Sequence, residues 1–142
     1  MANLIINLTQ HEMVKDQYFL NGEELIEIKF KPYNGLGESV HGFVKGCLNF
    51  NYKPDKVEIE RRALVLSEYA KGLLDQVKGD NDKLYALVGG APYLMSALEA
   101  ALKERGIQPL YAFSQRESVE KVNPDGSVTK TAIFKHAGYI EM

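Results

Sequence analysis

Cysteine is all but missing. Cys47 stands alone, so no disulfide can close within the chain and no cysteine-based zinc site can be built. Tryptophan is absent, and the eight tyrosines and six phenylalanines are scattered, not grouped as a stacking platform for nucleic-acid bases. No apolar run approaches the ~18–20 residues of a membrane-spanning helix. Met1-Ala2-Asn3 has no positive charge, and Leu4 to Leu8 is too short for a signal-peptide core, so a soluble cytoplasmic domain with no membrane contact is expected. Neither sign of charge dominates: 17 basic against 19 acidic residues leave a net charge of −2. That balance excludes a basic coat for long nucleic acid and an acidic disordered tail. The three histidines, His11, His41 and His136, show no metal-ligand spacing, so neither a metal nor a cofactor is expected.

What is present suits one domain of 142 residues, 45% of them apolar. Leu4-Ile5-Ile6-Asn7-Leu8 is a nearly unbroken apolar run rich in β-branched residues, the pattern of a strand buried on both faces in a parallel sheet. Residues 12–19 carry a weak helical pattern. Leu25 to Phe30 reads as a second strand, reached from the region of Phe19 through an Asn21-Gly22 turn. Residues 31–54 form an irregular, Gly-rich insertion with a strand expected at 47–52, lying over one end of the sheet or in an interface. Asp55 is an N-cap residue with Glu58 three positions on, and Ile59, Ala63, Leu66, Ala70, Leu73 and Val77 form one helical stripe ending near Gly79. Its charged residues Glu60, Arg61, Arg62 and Glu68 read as a solvated face. Leu84 to Val88 is another buried strand, followed by the turn Gly89-Gly90-Ala91-Pro92, a helix over Leu94, Leu98 and Leu102, and a stop at Gly106. Leu110 to Phe113 is the next strand. A hairpin of 118–122 and 128–140 turns at Pro124-Asp125-Gly126. The strand–helix–strand middle gives the fold class: α/β, a single open Rossmann-like domain over 1–142, with a mostly parallel central sheet and a C-terminal β-hairpin.

In an open parallel sheet, ligands bind beyond the carboxyl ends of the strands, where strand order reverses. Three segments meet that description. They are Thr9-Gln10-His11, Gly89-Gly90-Ala91-Pro92, and Ser114-Gln115-Arg116. Glycines at 89 and 90 let backbone approach a ligand, and the helix that follows offers unpaired N–H groups to an anion. The same turn also reads as a plain strand-to-helix connection, and it is neither a Walker loop nor a dinucleotide fingerprint. Arg116 suits bidentate contact with a phosphate, with Ser114 as a further donor; Arg116 paired with Glu117 or Glu120 on the surface is the other reading. His11 is a candidate acid or base, or simply a turn residue. His136 reads as a histidine packed against the sheet.

Gly90 to Met95, Gly106 to Ala112, Arg116 to Glu120, Asp125 to Val128 and Ile133-Phe134-Lys135-His136, together with Thr9-Gln10-His11 after the first strand, carry a resemblance. In their order and spacing the chain resembles the small stand-alone CRISPR-associated proteins of CARF-like fold, a group that includes ring nucleases. The resemblance implies a homodimer that binds a cyclic oligoadenylate, a small cyclic nucleotide ligand, and cleaves it without a metal by in-line attack of the ligand's own 2′-hydroxyl. It implies Ser114, Arg116 and His11 as catalytic candidates. Thr9, Gln10, Gly89, Gly90, Ala91, Pro92 and Tyr93 are then the ligand-binding set. Residues 31–54 depart from that pattern, as a lid over the ligand or as a filler of the site. Two other functions stay open: a sensing module of the same fold that does not cleave, and a phage or mobile-element interaction protein.

Overall fold

The computed structural model describes residues 2–29 and 40–142. Its centre is β1 (Asn3–Leu8), buried at every position, as its nearly unbroken apolar run leads one to expect. Parallel partners flank it: β3 (Glu23–Glu27) on one side and β4 (Lys83–Val88) on the other. Beyond β4 lies β5 (Gln108–Val122), also parallel, and then β6 (Val128–Glu141), antiparallel to β5. The two-residue β2 (Phe19–Leu20) closes the other edge as a hairpin with β3. Asn21 and Gly22 form its turn with φ of +50° and +82°, the left-handed pair a tight hairpin needs. The sheet order is β2-β3-β1-β4-β5-β6.

Three helices occur among the described residues: α1 (Val40–Leu48), α2 (Lys56–Val77) and α3 (Pro92–Glu104). All three pack on one face of the sheet, against Leu4, Ile6 and Leu8 of β1 and Leu84, Ala86 and Val88 of β4. The alternate residues Ile5, Tyr85, Leu87 and Leu110 face the other way, under Met13, Tyr18, Leu20 and Tyr139. The architecture is therefore mixed α/β, with helices on one side and a loop segment, including a short 3-10 turn over Lys15–Tyr18, on the other. α2 starts where its cap lies: Asp55 Oδ1 accepts the Glu58 N–H at 2.8 Å. α3 starts with Pro92 in its first turn, and Gly106 follows it at φ +73°.

Three expectations are corrected. The strand expected at 47–52 is absent: Val40, Val44 and Leu48, spaced by four, are buried as one stripe of α1, and residues 49–52 follow it as coil and bend. Residues 31–39 of the Gly-rich insertion lie outside the described residues. The strand read as ending at Phe113 does not end there. β5 runs unbroken through Ser114-Gln115-Arg116 to Val122, because β6 supplies a hydrogen-bonded partner at every step from Ser114↔His136 to Val122↔Val128. Finally, Arg62 does not belong to a solvated face. Its side chain is 21% exposed and holds the end of α1, donating from Nη1 to the carbonyls of Cys47 at 2.8 Å and Asn49 at 3.0 Å.

Candidate functional site

The topology reverses direction at β1. The chain moves from β1 to β3 on one side, then returns to β4 on the other, and continues outward to β5. The carboxyl ends of β1 and β4 are thus neighbours whose following loops part in opposite directions, leaving a crevice. Leu8 pairs with Val88, so Thr9 and Gly89 emerge side by side. A Cβ on Gly89 would lie 3.4 Å from Thr9 Cγ2, so the absence of a side chain there keeps the crevice open.

A cavity of about 480 Å³ occupies this position. Such a volume is within the ~300–1,000 Å³ typical of small-molecule sites. Thr9, Gln10 and His11 line it from the end of β1, Gly89 and Gly90 from the end of β4, and Tyr111 and Ala112 from β5. Glu12 and Gln17 close the remaining side. Among the described residues its lining contains no lysine or arginine. The polar groups are amides, hydroxyls, one imidazole and one carboxylate.

The shape of the first loop is set from below by Asn7. This buried amide interrupts an apolar strand, and its hydrogen bonds explain why. Its Oδ1 accepts the Thr9 N–H at 3.0 Å and the Thr9 hydroxyl at 2.6 Å, while its Nδ2 donates to the His11 carbonyl at 2.6 Å. The loop therefore folds back over Asn7 and presents the Gln10 and His11 side chains at the rim. Gln10 Nε2 donates to Asn49 Oδ1 at 3.1 Å, tying the loop to the residue after α1. Leu48 of α1 also lies against Gly90, where a Cβ would come within 3.6 Å of it; Gly90 has φ of +153°. The irregular region thus does reach the end of the sheet, through the C-terminus of α1. On the β5 side, burial together with Glu99 of α3, which the Tyr111 hydroxyl meets in a hydrogen bond, pushes that hydroxyl up to about 12.

Of the residues singled out in the sequence, Thr9, Gln10, His11, Gly89 and Gly90 meet around this cavity. Ala91 and Pro92 begin α3 behind it. Tyr93 turns towards Phe50, with ring centroids 5.6 Å apart, and does not line it. Ser114 and Arg116 do not line it either: they are exposed on the part of β5 that continues past the sheet. Asn7, Glu12, Gln17 and Tyr111 are the contributors that sequence reasoning missed. Asn7 had a visible signal, an amide standing between the buried aliphatic residues Ile6 and Leu8. Among the described residues no group of three or more His, Cys, Asp or Glu is placed to hold a metal, and no helix is long and apolar enough to cross a membrane.

A family model described as the uncharacterized protein MJ1673 family matches residues 50–140, from the end of the irregular region to the last strand. No curated protein and no solved structure matches the chain.

Proposed function

The chain belongs to the uncharacterized protein MJ1673 family, and we propose that it binds a small nucleotide of the cyclic oligoadenylate class in the crevice between the ends of β1 and β4. The observation that supports this most is the coincidence of the cavity with the strand-order reversal, the position where open α/β sheets take nucleotides. The lining suits a nucleoside and its sugar: amides at Gln10 and Gln17, the Thr9 side chain, the Tyr111 residue, and bare backbone at Gly89 and Gly90. One chain's cavity takes a group of nucleotide size and not a whole ring, so the reading includes a homodimer that shares one ligand. The CARF-like, Rossmann-like assignment belongs to the same proposal, and the order β3-β1-β4-β5 supports it.

Cleavage, if the protein performs it, uses the ligand's own nucleophile. The 2′-oxygen attacks the adjacent phosphorus, the phosphorus–O5′ bond breaks, and the products are a 2′,3′-cyclic phosphate and a 5′-hydroxyl. His11 would take the 2′-hydroxyl proton and return one to O5′. The backbone N–H groups near Gly90 would face the charge gained by the phosphoryl oxygens. One observation favours the sensing alternative: among the described residues no lysine or arginine lines the cavity to stabilise that charge. Incubation with cyclic tetra-adenylate or hexa-adenylate in EDTA separates the readings. Linear products ending in a cyclic phosphate support the nuclease. Tight binding without products supports the sensor, and absence of binding removes both.

A further inference from the structure

Past the sheet, β5 and β6 continue as a two-stranded arm with no third strand partner among the described residues. From Ser114↔His136 to Val122↔Val128 they pair only with each other, and every residue but His136 is exposed. Phe134 is 76% exposed, and Val122 and Val128 at the tip are 72% and 53% exposed. An isolated two-stranded ribbon is at best marginally stable in water, and β6 leaves a free edge as well. The arm's own closure is well made. Asp125 accepts from the Ser127 N–H at 2.9 Å, Asn123 Nδ2 donates to Thr129 Oγ1 at 2.8 Å, and Gly126 takes φ of +86°. The sequence thus specifies an ordered arm and leaves both faces uncovered.

One face is self-complementary. Strand alternation puts Ser114, Arg116, Ser118, Glu120 and Val122 on the same side as their partners His136, Phe134, Ala132, Lys130 and Val128. The salt bridge of Lys130 Nζ to Glu120 Oε1, at 3.7 Å, agrees with that assignment. The middle level, Ser118 with Ala132, holds the two smallest side chains. One level towards the base stand Arg116 and Phe134; one level towards the tip stand Glu120 and Lys130. Reversing the ribbon about its middle level therefore sets Arg116 over Glu120, Phe134 over Lys130, and Val128 over His136. Opposite charges meet, and a cation meets an aromatic face.

We propose that this face is a homotypic interface: the arms of two copies of this chain pack face to face and antiparallel, with a two-fold axis through Ser118 and Ala132. The interface is isologous, so each contact occurs twice and the assembly closes at two chains. It places Arg116 in an intermolecular ion pair, a role distinct from the nucleotide crevice. It stands whether or not that crevice binds an oligoadenylate.

Symmetry makes the test specific. The full chain should show a two-chain mass by light scattering at micromolar concentration. R116E alone and E120R alone should shift it to a one-chain mass, and the R116E/E120R double variant should recover two chains, since the exchange preserves the pairing. In a C47S background, S118C should form an interchain disulfide with itself under mild oxidation, whereas T131C, on the opposite face, should not. A one-chain mass for the unaltered protein overturns the proposal. So does a double variant no better than the singles, or cross-linking through T131C equal to that through S118C. Circular dichroism of each variant confirms that the fold is retained.

Discussion

Arg62 shows how much one side chain can hold in a chain with few other fastenings. Its guanidinium reaches the carbonyls at the end of α1, sits 4.7 Å over the Phe50 ring, and takes Glu58 Oε1 at 2.7 Å. Those carbonyls are the orphan acceptors that any helix end leaves behind. Arg62→Ala should destabilise the protein by about 1 kcal/mol, since its partly exposed acceptors can turn to water once the charged donor is gone, measured by urea unfolding. Arg62→Lys should recover only part, since one ammonium cannot reproduce the fork. His136 is a second residue with a consequence. Both its ring nitrogens are buried without hydrogen-bond partners, and the ring stands edge-on to Tyr139 at 4.8 Å. Burial lowers its pKa from 6.5, with Asp16 opposing. A histidine whose folded pKa is depressed binds its proton more readily unfolded. Its contribution to stability is therefore complete above about pH 6.5 and is lost as the pH falls through the folded value. Thermal melts should show stability falling below pH 6.5, and His136→Phe should flatten that part of the profile. A parallel loss in both proteins would assign the effect to other groups. The sequence position of His136 on the Phe134 face was readable from alternation; its lack of partners was not, because that depends on residues far away in the chain.

At the scale of elements, legibility followed period and length. The α2 cap and stripe were readable because Asp55, Glu58 and the apolar spacing all point to one start and one face. Asp55→Ala should cost about 1 kcal/mol, read from the midpoint of chemical unfolding, with the crevice unchanged. α1 was missed because glycines at 42 and 46 conceal a stripe whose burial comes from tertiary packing. The error over β5 had a different cause. Ser114-Gln115-Arg116 reads as the end of a buried strand because burial of β5 does end just before it: Leu110 is fully buried, and β5 is exposed from Ala112 to Val122. The arm beyond was legible as the hairpin of 118–122 and 128–140, but its junction with the sheet was not, because Ser114-Gln115-Arg116 is polar and held in the strand by cross-strand bonds. Two site candidates consequently left the crevice, and the arm's face gained a function of its own.

For the whole molecule, the decisive feature is the order of strands. Which strands flank β1 is a long-range fact, set by the crossovers and not by any local run. Yet the sequence placed Thr9-Gln10-His11 and Gly89-Gly90 at strand ends, and the observed order brings those ends together. The near-absent net charge agrees with a crevice lined by amides, hydroxyls and backbone and, among the described residues, by no lysine or arginine. The central claim is that the crevice between β1 and β4 binds a nucleotide, and calorimetric titration with cyclic tetra-adenylate in EDTA tests it most directly. Gly89→Val supplies the comparison, since its added methyl groups would stand at the mouth of the crevice beside Thr9. The account predicts saturable binding by the unaltered protein and at least about tenfold weaker binding by Gly89→Val, a loss of roughly 1.4 kcal/mol, with both proteins melting alike in the absence of ligand. No binding by the unaltered protein, or equal binding by the two, would contradict it.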